Sequence, residues 1–435
     1  MSEPTVREAP SRPWSGGQKL AFRFFAAYFL LYFLPFPLDY IPWVSKLGVL
    51  YDRMWELAVV WVGQAFFGLE VFVQRTGSGD RPFNYTLALI HLVVALLATL
   101  VWTALDRRRP DYRRFRAWLW LYFRFSLASV LIVYGAGKVF RAQFSDLPFQ
   151  RLLQPFGTSS PMGLLWSFMG ASHPYSFFTG LAEIVPGLLL TVRRTALLGA
   201  LLSAATMTHV LMLNLAYDVP VKLFAAHLLL LSLLLALPDL RRLLHFFVLD
   251  HPAPASELAS PWPNPRLLRG AVTVGALLVL AFTGQQLYQA RGYQQDRPQY
   301  KEPKPLFYGI WKVEEMRLGD EAPRSYEEVA ARFKHMVIQW PDYVLFQTMD
   351  DRLGGFLLAV DEAKKTIELT VEPEAETDPK VSYLLTYTQP DPKQLVIEGT
   401  FRDQALYLKA KRLDDSDFRL LSRGFHWVSP VPYNR

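Results

Sequence analysis

The chain has 435 residues, 51% of them hydrophobic, with a mean hydropathy of +0.13 and a formal net charge of +7. It holds no cysteine, which excludes disulfides, thiolate metal sites and thiol redox chemistry by this chain alone. The positive balance does not indicate nucleic acid, because the arginines concentrate in short loops beside apolar runs, the pattern of cytoplasmic loops in membrane proteins.

Taken in chain order, residues 1–18 form a basic tail with Arg7 and Arg12, and the first apolar run follows at 19–35. That run ends in LYFLPFPLDY without a small-residue cleavage site, so it reads as a retained span and not as a signal peptide. Further apolar runs lie at 56–73, 85–105, 117–140, 175–192, 195–216, 221–238 and 267–288. Several approach the ~20 residues a helix needs to cross a bilayer. The basic loops DRRRPDYRRFR (106–116), TVRRT (191–195), DLRRLLH (239–245) and PRLLRG (265–270) should all face the cytoplasm.

Those loops fix a topology. With 106–116 inside, the run 85–105 enters from outside, so TGSGDRPFNY (76–85) is an external turn with Gly77 and Gly79 at its tip. The tail is inside, so 19–35 exits, and 56–73 cannot span. It reads as an interfacial helix, its aromatic face interrupted by Glu56, Gln64 and Glu70. The expected architecture is an α-helical polytopic bundle of about seven spans. The domain at 19–250 includes an external loop and interfacial helix at 39–84. A cytoplasmic linker (251–266), a last span (267–288), a second linker (289–306) and an extracytoplasmic all-β domain (307–435) complete the chain.

Ionisable residues inside spans are costly and mark function more often than surface ones do. His91, Tyr134, Glu183, His209 and His227 each lie six to eight residues from the outer ends of their expected spans. At 1.5 Å per residue they share one layer, ~9–12 Å below the outer surface. Lys138 sits one helical turn from Tyr134 on the same face. Arg124 lies deeper, and Asn214 lies beside the 217–221 turn, where Asp218 and Lys222 should pair. The layer suggests a shared pocket in which Glu183, His209, Lys138 and Tyr134 carry chemistry while His91, His227, Arg124 and Asn214 bind. Each residue alone has a plainer reading as helix-packing glue, Glu183 with Lys138 or Arg124 above all.

After 306 the pattern switches to period two. Eight alternating runs, at 309–318, 335–340, 343–348, 354–361, 365–372, 381–388, 394–401 and 405–413, are joined by short turns. They predict an up-and-down meander barrel, with Trp311, Val313, Val337, Phe346, Leu357, Ile367, Leu384 and Ile397 inside. Gly309-Ile-Trp311 resembles the G-x-W opening of lipocalin-type barrels. In the segment RGFHWVSPVPYNR (423–435), Phe425 and Trp427 are expected to plug the barrel mouth or to dock on the membrane domain, with ligand recognition as the alternative. No P-loop, dinucleotide fingerprint, zinc-protease motif or serine-hydrolase elbow is present, and no internal repeat.

The motif G-x-x-E-x-x-x-G-x-L-L (180–190), the arginine turn after it, a small-residue helix and a polar turn together resemble the DoxX-like integral membrane proteins over about 120–245. The TGSGD-type loop and the FHW…P-x-N-R segment are similar to a subset that carries an extra extracytoplasmic domain. The resemblance implies a helix bundle in the bacterial plasma (inner) membrane and a quinone-like ligand; it maps no family catalytic residue here, and some members work beside a redox or envelope partner protein. A quinone needs an apolar slot, hydrogen-bond partners for its carbonyls and a proton route, and the polar layer supplies residues of those types. A haem or metal on two of the three membrane histidines ranks lower. The alternative is a non-enzymatic scaffold that acts through its external barrel on a lipid or partner. Transport is disfavoured, because no paired broken helices repeat in two halves.

Overall fold

The computed structural model describes residues 13–37, 44–74, 76–255, 261–262, 264–297, 300–319, 325–372 and 381–434. Most of the expected basic tail and parts of the 39–84 loop and of both linkers lie outside them. The chain divides into two compact units. One joins residues 1–139 with 177–288, and the other joins 140–176 with 289–435. Residues 140–176, which the sequence placed within the helical domain, thus pack with the barrel.

The helical unit begins with α1 (Gly16–Phe33), started by a capping box in which Ser15 and Gln18 each satisfy the other's backbone N–H. Next come α2 (Ser45–Phe67), closed by Gly68 in the left-handed conformation, and α3 (Pro82–Leu105), opened by its proline. α4 (Arg113–Val139) buries residues all round, with Phe123, Leu127 and Leu131 in the core. The excursion 140–176 carries α5 (Phe149–Leu153) and α6 (Pro161–Ala171). The bundle resumes with α7 (His173–Thr191), α8 (Ala196–Ala216), α9 (Lys222–Ala236), α10 (Leu240–Phe247) and α11 (Pro265–Gln295). Among the described residues, five helices are long and apolar enough to cross a membrane: Pro82–Leu105, Arg113–Val139, Ala196–Ala216, Lys222–Phe247 and Arg266–Gln295. α1, α2 and α7 are not among these five.

α4 and α7 cross almost backbone to backbone. A Cβ on Gly135 would lie 2.6 Å from the Gly180 carbonyl oxygen, and one on Gly180 would lie 2.7 Å from that of Gly135. Seven residues on, a Cβ on Gly187 would lie 3.2 Å from the Ala128 carbonyl oxygen. On the other side of α7, a Cβ on Gly199 of α8 would come within 2.7 Å of the Leu190 nitrogen. The glycines of G-x-x-E-x-x-x-G therefore mark where α7 lies against its neighbours, the small-residue contact that lets membrane helices gain dispersion energy.

The TGSGD stretch closes a helix end. Gly79 donates its N–H to the Pro220 carbonyl at 2.7 Å. The Asp80 carboxylate then accepts from the backbone N–H groups of Lys222 (2.8 Å) and Leu223 (3.0 Å), capping α9, whose own N-cap residue Val221 offers no side-chain bond. The expected Asp218–Lys222 pair forms at 2.8 Å, and Asp80 lies 3.7 Å from the same ammonium.

In the second unit, β1 (Gly309–Leu318) is followed by the short α12 (Tyr326–Ala330), β2 (Phe333–Trp340), β3 (Tyr343–Thr348), β4 (Leu353–Asp361), β5 (Thr366–Val371), β6 (Ser382–Asp391), β7 (Gln394–Phe401) and β8 (Gln404–Arg412), then α13 (Arg419–Ser422). The strands form a closed antiparallel barrel in sequence order, β8 pairing back onto β1. Its interior is filled by side chains, among them Trp311, Met336, Phe346, Phe356, Leu385, Leu395 and Ile397. Trp311 donates its indole N–H to the Phe307 carbonyl at 2.7 Å. Gly309 has φ +140°, and a Cβ there would come within 2.9 Å of the Arg412 Nε.

Of the expected interior residues, Trp311, Phe346, Ile367 and Ile397 belong to the core and Val313 packs against it. Leu357 and Leu384 instead face outward, 40% and 67% exposed, because their neighbours Phe356, Leu358 and Leu385 take the inward phase. Val337 also has its neighbours Met336 and Ile338 in the core, yet it is fully buried. Excursion 140–176 is hydrogen-bonded to side chains of β2 and β3. The Phe149 N–H donates to Gln339 Oε1 (3.0 Å), and Gln347 Nε2 donates to the Leu153 carbonyl (3.2 Å). The Tyr300 hydroxyl accepts from the Asp146 N–H at 3.0 Å, and the Arg297 guanidinium donates to the Ala142 carbonyl. Phe425 and Trp427 do not plug the barrel: they are 76% and 91% exposed. A 289–435 fragment without 140–176 should therefore be less stable by about 4 kcal/mol, from the loss of four side-chain–backbone hydrogen bonds. Denaturation of that fragment with and without an added 140–176 peptide checks this; equal stability would contradict the packing.

Candidate functional site

Tyr28 and Tyr32 are four residues apart, so both project from one face of α1. His227 meets them from α9. Its Nδ1 lies 2.7 Å from the Leu223 carbonyl oxygen, which can only accept, so Nδ1 carries the proton. Nε2 is then the acceptor for the Tyr28 hydroxyl at 2.6 Å. Tyr32 stacks on the imidazole with centroids 4.1 Å apart and planes 4° from parallel. With both nitrogens engaged, His227 has none left for a metal. Among the described residues no group of three His, Asp or Glu is placed to hold an ion.

His91 on α3 is within electrostatic reach of His227. Its side chain is buried, 4% exposed, and neither ring nitrogen has a hydrogen-bond partner among the described residues. Trp55 of α2 meets it edge to face at 4.6 Å. The Tyr51 hydroxyl, one turn before Trp55, donates to the Leu31 carbonyl at 3.0 Å and ties α2 to α1. Leaving a buried imidazole unpaired costs about 1–3 kcal/mol. An incoming carbonyl or hydroxyl that paired with His91 would relieve that cost.

The other expected residues divide. Lys138 and Glu183 form a buried, bidentate ion pair at 2.7 and 2.9 Å, directly beside the Gly135–Gly180 crossing. The Lys138 ammonium also lies 5.7 Å from the Tyr134 ring centroid. Tyr134 is 41% exposed and tilts against Phe224 at 6.1 Å, three residues before His227. Tyr134 thus links the ion pair to the His227 stack. Arg124 points elsewhere: it donates to the carbonyls of Leu190 (2.6 Å) and Thr191 (3.0 Å) and caps the C-terminal end of α7, where a cation also complements the helix dipole. Asn214 donates to the Val221 carbonyl at 3.4 Å and closes the 217–221 turn. His209 lies on the exposed face of α8.

Tyr28, Tyr32 and Trp55 were missed at the sequence level. Their signal was present as an aromatic spacing of four on α1 and a tryptophan within an amphipathic run. Neither names a partner 199 residues away, the separation of Tyr28 from His227.

No family model matches the chain, and no solved structure matches it. The uncharacterised protein YwoB of Bacillus subtilis (strain 168) is 30% identical to it over 125 residues, 29% of this chain and 79% of YwoB. The chain belongs to the YwoB family. That kinship carries no stated activity, so the chemistry rests on the side chains.

The ion pair gives a direct test. Removing one partner strands a buried charge, so Lys138→Met or Glu183→Gln should each cost about 3–5 kcal/mol. The double variant Lys138→Met with Glu183→Met should recover most of that loss. Chemical denaturation in detergent measures all three; single variants as stable as the parent would contradict the pairing.

Proposed function

We propose that this YwoB-family chain is a DoxX-like, redox-associated protein of the bacterial plasma membrane whose helical unit binds a quinone-like molecule. The proposal includes about seven spans, with α1 and α7 added to the five long apolar helices, and α2 along the outer surface. It places the N-terminus in the cytoplasm and the barrel outside. The arginine loops at 106–116, 191–195, 239–245 and 265–270 support that orientation. In this frame the His91–His227 region lies in the outer half of the bilayer.

The observation that carries the ligand reading is His91, a buried imidazole with two unpaired nitrogens beside an aromatic wall. The residues fit a flat ring bearing carbonyl or hydroxyl groups. His91 would bond one oxygen, as donor to a carbonyl or acceptor from a hydroxyl, and Trp55 would bound the ring. A bound quinone-like group would supply two-electron, two-proton redox capacity. His227, held as the Nδ1–H tautomer, keeps Tyr28 hydrogen-bonded and the Tyr32 stack in place. The satisfied Lys138–Glu183 pair then positions helices and is not the proton-exchanging group. A haem finds less support, because His227 has no free nitrogen. The competing scaffold reading loses its ligand-in-the-barrel form, because side chains fill that interior.

The test is organic extraction and mass spectrometry of the protein purified in mild detergent. The reading expects about one quinone per chain, falling roughly 5- to 100-fold in His91→Phe, the loss of one hydrogen bond from a buried group. It also expects partial retention in His91→Gln. A protein that carries only phospholipid, or the same quinone content in His91→Phe, would overturn it.

A further inference from the structure

Residues 418–434 form a built loop whose apolar side chains face outward. The Arg423 guanidinium lies 4.4 Å from the Tyr433 ring centroid, and its Nη2 donates to the Ser429 hydroxyl at 3.4 Å. Gly424 turns the chain at φ +62° between them. The staple holds Phe425 and Trp427 edge to face at 5.0 Å. The rings are presented, not packed: Trp427 is 91% exposed, Val428 78% and Val431 67%. An apolar patch of this kind on an aqueous domain marks an interaction surface.

We propose that this loop is an interfacial anchor that inserts Phe425, Trp427 and Val428 into the headgroup region of the bilayer spanned by the same chain. Three observations favour lipid over a protein. Residues 418–435 carry Arg419, Arg423 and Arg435 and no acidic residue, which complements an anionic lipid surface. Tryptophan, tyrosine and arginine in one short loop are the residue types that settle at the membrane–water boundary. Pro430 and Pro432 remove two backbone donors, which disfavours strand addition to a partner sheet. Reach is sufficient as well. Gln295 ends α11 and Gly309 begins β1, so no more than 14 residues, about 50 Å fully extended, tether the barrel to a membrane helix. That tether keeps the local concentration of bilayer high. The inference does not depend on the quinone reading.

Because the chain has no cysteine, a single cysteine reports one position only. The experiment attaches a nitroxide at Val428→Cys, with Lys364→Cys on a barrel hairpin as the aqueous reference. The full-length protein is placed, one copy per disc, in nanodiscs with or without phosphatidylglycerol. Collision with oxygen and with a water-soluble nickel chelate is then read by electron paramagnetic resonance. The expected result is a nickel accessibility at position 428 about fivefold below that at 364. This protection should be weaker without phosphatidylglycerol, weaker in Arg419→Glu and lost in Trp427→Ser. Equal accessibility at the two positions would overturn the proposal. So would protection independent of lipid charge and of Trp427, or dipolar broadening only with two copies per disc, which would mark a second chain as the occupant.

Discussion

The near-contact of α4 and α7 at Gly135 and Gly180 is the constraint on which the helical unit depends. Without side chains at the crossing, the two backbones approach until each glycine carbonyl oxygen lies 2.6–2.7 Å from where the other's Cβ would be. That approach brings Lys138 and Glu183 within 2.7–2.9 Å, away from water, where a misfit would strand two charges. The pair is therefore more informative about specificity than about stability: it admits one register of α4 on α7.

A second consequence concerns the residues beyond the pair. Arg124 caps the far end of α7 and Gly199 seats α8 against it, so α7 is held along its length. On the other side, Tyr134 hands the contact on to Phe224 and so to α9, whose first turn is capped by Asp80 from the TGSGD loop. α9 in turn carries His227 into its stack with Tyr32. The expected polar residues are thus divided: one part is satisfied glue, His209 is exposed, and the buried His91 is left without a hydrogen-bond partner among the described residues.

Much of this was legible in the chain. The eight barrel strands follow the period-two runs to within three residues, since alternation over a half-buried strand is a strong signal. Register was legible only where one phase was apolar. In GFLLAV and YLLTY both phases hold leucine, so Leu357 and Leu384 were assigned inward and the structure places them outward. The expected layer of His91, Tyr134, Glu183, His209 and His227 comes from counting residues into helices, and that count says nothing of which face each residue takes. His209, counted into that layer, lies on the exposed face of α8. The excursion 140–176 has no clean period, and its hold on β2 and β3 spans about 190 residues of chain, beyond any local rule. Tyr28, Asp80 and Trp55 escaped for the same reason: each acts through a partner distant in sequence.

The measurement that reaches the central claim most directly is a double-mutant cycle between Gly180→Ala and Glu183→Gln, followed by equilibrium unfolding of the parent, both single variants and the double variant in one detergent. If the glycine crossing is what forms the ion pair, Gly180→Ala already loosens the pair and the two losses overlap. The coupling energy should then exceed about 1 kcal/mol. Losses that simply add would show that the ion pair forms regardless of how closely α4 and α7 approach, and would contradict the account.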